Sequence, residues 1–216
     1  FLAGCSHEGH DNSPSKVFKD DLTYLTHLGL VRGHLHVGIE LYKGEYFENA
    51  KRHMKHPKSE LYSAIIPTFE AKKAKGFAVE LANLALSVEN NEEFKMVSRK
   101  YEILLNVISE NEKIVGTEND TFNEKISLVN ALLEIAAEEY AIGIVDGNVE
   151  NKFEYQDALG FTTVAKNILE ETGSLNSLQV SKKNKALGII NDLSSLWPSL
   201  VPTGKIKGDA KKISAA

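Results

Sequence analysis

Asp21-Leu22-Thr23-Tyr24-Leu25-Thr26-His27-Leu28-Gly29-Leu30-Val31-Arg32-Gly33-His34-Leu35-His36-Val37-Gly38-Ile39-Glu40-Leu41 is the stretch whose reading decides the fold. Its apolar residues spread round the whole helical wheel instead of forming one stripe. A helix of that kind is buried on most sides. Gly29, Gly33 and Gly38 each cost about 1 kcal/mol against alanine in a helix interior. Glycines kept there imply that a neighbouring helix, or a ligand, comes very close. The stretch therefore predicts a central helix from Asp20 or Asp21, closed by Gly44.

Working outward, helical patterns follow one another. A short helix is expected from Glu45 to about Lys55. Another begins at Pro57, which should restrict His56 to a non-helical conformation, and Pro67 kinks or ends it. Further helices are expected over Gly76–Glu89, Glu92 to about Lys113, Thr121 to about Val145, Asn151 to about Thr172 and Ser181–Leu196. The polar loop Gly116-Thr117-Glu118-Asn119-Asp120 precedes the helix at Thr121, and Asp146-Gly147 stops it. Strand-type alternation is nearly absent. The class is all-α, an antiparallel bundle of about seven or eight helices. Residues 18–200 form its single domain, and 201–216 read as a polar, lysine-bearing tail.

Bulk properties agree with one globular domain. The chain has 216 residues, 42% hydrophobic and 25% charged, and a formal net charge of -5. Its sequence pI of about 5.8 argues against nucleic-acid binding, which calls for a basic face. One cysteine, Cys5, excludes both an internal disulfide and a thiolate metal cluster. No stretch reads as a membrane-spanning helix.

The seven histidines all lie at or before His56. Imidazole is the commonest protein metal ligand, so this clustering marks a candidate ligand site. At 100° per residue, His27, His34 and Gly38 share one face of the central helix, while His36 and Glu40 point roughly opposite. His53 and His56 lie three apart, a spacing that lets both rings turn to one point, and Glu60 follows one turn later. Farther along, Glu134 pairs with Glu138 on one helix, with Glu139 beside them. Glu154 and Asp157 lie three apart at the start of the next. For Glu154 a capping box with Asn151 competes with a ligand role, and for His56 so does a cap on the helix at Pro57. For His27 a satisfied core or surface position, and no ligand role, is expected.

Imidazoles and carboxylates without thiolate suit iron, copper, zinc or manganese. Paired histidines could also hold a haem iron, although Cys-x-x-Cys-His is missing. The expected ligands are His34, His53, His56, Glu60, Glu139 and Asp157, with His36, Glu40 and Glu154 behind them. Catalysis is not expected. There is no Gly-x-Ser-x-Gly elbow, phosphate-binding glycine loop or His-Glu-x-x-His helix.

Three resemblances bear on function. Phe1-Leu2-Ala3-Gly4-Cys5 is similar to the end of a bacterial lipoprotein signal. That implies a signal remnant over 1–4, lipidation of Cys5, a tether over 5–17 carrying His7 and His10, and a place on the periplasmic side of a membrane or at the cell surface. Gly33-His34-Leu35, Gly38, Glu40-Leu41-Tyr42, His53, His56-Pro57 and Glu60-Leu61-Tyr62 resemble a pattern in bacterial envelope proteins. Glu139-Tyr140, Asp146-Gly147, Glu154-Tyr155-Gln156-Asp157-Ala158 and Gly160-Phe161 resemble the extracytoplasmic helical domain of bacterial iron permeases.

A weaker likeness, to the imelysin-like iron-uptake lipoproteins, departs from their Gly-x-His-x-x-Glu motif. His36 to Glu40 is one residue too long, and Val37 stands at the glutamate position after His34. Together these resemblances imply an envelope-anchored helical protein that binds a transition metal or haem in metal uptake or handling, with an envelope transporter as partner. The alternative is a lipoprotein scaffold without a metal site, its histidines consumed by caps and core hydrogen bonds.

Overall fold

A computed structural model describes residues 17, 18, 20–115 and 121–216, without the side chains of 58–60. The described residues form nine α-helices and one two-stranded hairpin. The lipoprotein-like box, Cys5, His7, His10 and the loop 116–120 lie outside them.

Helix α1, Asp21–Lys43, is the axis of the fold. Asp20 caps it, accepting from the Thr23 N–H, and Gly44 returns its N–H to the last turn. Tyr24, Leu28, Val31, Leu35, Val37 and Leu41 are fully buried, as the all-round apolar pattern requires. The three interior glycines face three different helices. A Cβ on Gly29 would strike Leu132, one on Gly33 would strike Phe161, and one on Gly38 would strike Met54.

Those neighbours define the layers. Met54 belongs to α2, Phe47–His56, while Leu132 belongs to α6, Phe122–Gly143, and Phe161 to α7, Lys152–Glu171. A Thr121–Glu124 capping box opens α6, and the Asn151 side chain opens α7 by accepting from the Phe153 N–H. The α6–α7 interface is the most extensive in the fold, followed by α1 with α7 and α1 with α2. Helices α4, Ala78–Glu89, and α5, Phe94–Glu112, pair beside this group. Arg32 ties α1 to α5 through two guanidinium contacts with the Glu112 carboxylate, at 2.7 and 2.8 Å.

Several local expectations need correction. His56 is helical, with φ -54° and ψ -49°, and caps nothing with its side chain. The chain runs from α2 through a π-helical turn, Pro57–Tyr62, into α3, Ser63–Lys72. The wider turn carries Pro57 without a break. Pro67 lies inside α3 and does not end it.

Asp146-Gly147 is more than a stop: both residues have positive φ, and they join Ile144–Val145 (β1) to Asn148–Val149 (β2) as a hairpin. Helix α8 starts at Ser177 under an Asn176–Gln179 capping box and runs to Asp192. The stretch expected to be a polar tail also folds back. Ile206 and Ile213 are buried, the Ile206 N–H donates to the Gly147 carbonyl at 2.8 Å, and α9, Lys211–Ser214, packs on α6. Its lysines hid two isoleucines spaced to reach the core.

Candidate metal centre

Where α1, α2 and α7 meet, His34, His53 and Asp157 converge, all three buried. One ligand atom from each lies within 4.8 Å of the other two. His34 Nδ1 is 2.6 Å from Asp157 Oδ1, and His53 Nδ1 is 3.1 Å from the same oxygen.

The surrounding rings hold these groups in place. Phe161 packs edge-on against His34 with centroids 5.2 Å apart, and Phe153 lies 5.9 Å from His53. The Arg52 guanidinium stacks 3.8 Å above the Phe153 ring. His56, half-buried one turn after His53, brings its ring to 5.1 Å from that of His34. The i,i+3 spacing read in the sequence does turn both rings the same way.

Two more carboxyl groups adjoin this trio. Glu139 on α6 and Glu154 on α7 are both buried. The two groups share a hydrogen bond, which requires a proton on one of them. Burial, that hydrogen bond and the negative charges of Glu154 and Asp157 push Glu139 up to about 9. Burial raises Glu154 as well, with the Glu139 hydrogen bond opposing it. Glu154 accepts from the Asn151 side chain at 3.2 Å, while the Asn151 oxygen caps Phe153, so no reciprocal capping box forms. Asp157 goes the other way. Burial acts to raise its pKa, but the charges of His34 and His53 outweigh it, and the carboxyl falls below the ordinary aspartate value.

His27, His36, Glu40, Glu134 and Glu138 separate from this cluster. His36 and Glu40 are half-buried on another side of α1, and Glu40 reaches Lys43 at 3.7 Å. His27 is satisfied in the core, with Nε2 2.6 Å from the Leu61 carbonyl oxygen. Glu134 and Glu138 are exposed. Glu60 lies in the π-helical turn, with its side chain outside the described residues. Gln156 was missed by the sequence reading. It accepts from His53 Nε2 at 2.9 Å and donates to the Leu200 carbonyl at 2.9 Å. No spacing rule singles out a glutamine, and only the fold brings Leu200 beside it.

This donor set fits a transition-metal ion: two imidazole nitrogens and a carboxylate oxygen converge, and further acid lies close by.

Residues 116–216 match the iron permease-associated 4-helix bundle domain. No curated protein and no solved structure matches the chain. The match bears out the likeness read from Glu139 to Phe161. The matched region of the iron permease-associated bundle supplies Glu139, Glu154 and Asp157. His34, His53 and His56 come from helices that precede it.

Proposed function

We propose that this chain is an envelope-anchored helical bundle that binds a transition-metal ion, iron foremost, at His34, His53 and Asp157, and that it works in metal uptake or handling beside an iron permease. The observation that carries the reading is the convergence of three buried ligand atoms from three helices. His56, Glu139 and Glu154 line the same site and complete or tune the ligand set. The match to an iron permease-associated domain favours iron as the cargo and a permease as the partner.

A compact ion is favoured over haem. Asp157 Oδ1 lies 2.6 and 3.1 Å from the two Nδ1 atoms, in the space where a porphyrin plane held by both rings would have to pass. The scaffold alternative expects histidines consumed by the core. His27 behaves that way and His53 Nε2 meets Gln156, whereas the Nδ1 atoms of His34 and His53 both face the Asp157 carboxylate.

The Leu2-Ala3-Gly4-Cys5 box supports a lipid on Cys5 and a position outside the cytoplasm. Among the described residues no helix is long and apolar enough to cross a membrane.

Equilibrium dialysis against Fe2+, Zn2+ and Cu2+ with elemental analysis tests the reading. The wild-type chain should retain metal near stoichiometry, and His53→Ala with His56→Ala should abolish retention while helical content survives. Wild-type protein that retains none of the three ions defeats it.

A further inference from the structure

Gln156 is fully buried on α7, next to Asp157 and one turn before Gly160. Its two amide ends face partners of fixed character. On one side is the Leu200 carbonyl, which can only accept, so the Gln156 NH2 group must point there. The amide oxygen is then left facing His53 Nε2 at 2.9 Å, and that nitrogen must carry the hydrogen. The opposite orientation would set carbonyl against carbonyl at Leu200.

Leu200 is itself held. The Tyr155 hydroxyl donates to the neighbouring Ser199 carbonyl at 2.8 Å, and Trp197 Nε1 donates to the Tyr155 carbonyl at 3.0 Å. The amide therefore has a rigid anchor on the segment after α8.

We infer that Gln156 is a positioning residue that fixes His53 with its hydrogen on Nε2, so that Nδ1 is the nitrogen offered to the metal ion beside Asp157. The inference rests on the reading of His34, His53 and Asp157 as a metal centre. The second ring nitrogen of a ligating histidine commonly donates to a carbonyl or carboxylate, which sets both tautomer and orientation. Here a glutamine does so, and through Leu200 it ties the ligand to a segment far along the chain.

The test combines a nitrogen-detected spectrum of His53 with zinc affinity in the full chain. In metal-free and in zinc-loaded wild-type protein, His53 Nε2 should carry the proton. Gln156→Met, of similar size but without the acceptor, should weaken zinc binding by about 10- to 100-fold with helical content unchanged. Gln156→Glu keeps an acceptor for His53 but turns its second oxygen on the Leu200 carbonyl, so it should recover only part of that loss. A proton on Nδ1 with Nε2 bare overturns the assignment, and so does zinc binding by Gln156→Met equal to wild type. If Gln156→Met fails to fold, the wild-type spectrum decides by itself. Wild-type protein that takes up no zinc overturns the metal-centre reading itself, whereas zinc uptake indifferent to position 156 overturns the clamp alone.

Discussion

His34 Nδ1 on α1 lies 2.6 Å from Asp157 Oδ1 on α7, in the interior of the fold. The approach depends on how closely the two helices cross. Gly33 precedes His34, Gly160 lies one turn after Asp157, and their backbones meet so tightly that a Cβ on Gly160 would collide with the Gly33 carbonyl. The crossing positions the ligands.

Gly160→Ala should therefore act on both stability and the site. The new methyl meets backbone, which cannot rotate aside, so overpacking should cost about 1–3 kcal/mol or more. Moving α7 away from α1 should also lower metal affinity, although no ligand has changed. Thermal melts and metal titration of the same variant check this, and a destabilised variant with unchanged affinity would contradict it.

Asp157→Asn keeps the size of the side chain and removes the charge that both imidazoles face. Metal affinity should fall on the order of 100-fold or more, beyond the range expected of a supporting residue. Isothermal titration with Zn2+ measures it.

Glu139 makes the pH dependence of stability testable. In the unfolded chain it ionises near its ordinary 4.5, whereas the fold holds it protonated up to about 9. Its stabilising contribution is thus complete below about 4.5 and is lost as pH rises towards 9. His27, whose pKa burial lowers, works in the opposite sense: its contribution is lost as pH falls below its ordinary 6.5. The difference between wild type and Glu139→Gln isolates the first effect. Denaturant midpoints of the metal-free proteins should show wild type losing ground to the variant from pH 5 to 9, and parallel curves would refute the assignment.

Position-specific controls follow from the residues left out of the cluster. His36→Ala should leave metal binding unchanged. His27→Ala should also leave binding intact but destabilise the fold by about 1–3 kcal/mol, because the Leu61 carbonyl loses its buried partner. Loss of metal in either variant would move the centre elsewhere.

Much of this site was legible in the sequence, for physical reasons that differ by residue. The i,i+3 pairs His53/His56 and Glu154/Asp157 follow from helical periodicity alone, and the glycines of α1 announced close neighbours. The sequence ranked His34 ahead of His36, but only the packing of α7 against one face of α1 separates them. Glu154 could not be separated from a capping role until the Asn151 oxygen was found on the Phe153 N–H. The π-helical turn escaped because Pro57 usually marks a boundary, and the hairpin escaped because its strands are two residues each. Gln156 and the return of Ile206 to the core depend on contacts across more than forty residues, which local patterning does not encode.

The imidazoles and the carboxylates come from different parts of the chain. Only the carboxylates lie within the region matching the iron permease-associated bundle, so α1 and α2 supply the nitrogen ligands from outside it.

Anomalous diffraction from crystals of the full chain soaked in Zn2+ or Fe2+ tests the central claim most directly. The account predicts a peak bounded by His34, His53 and Asp157, with ligand distances of about 2.0–2.2 Å. Metal found only at surface carboxylates, with those three side chains unmoved and no peak between them, would contradict it.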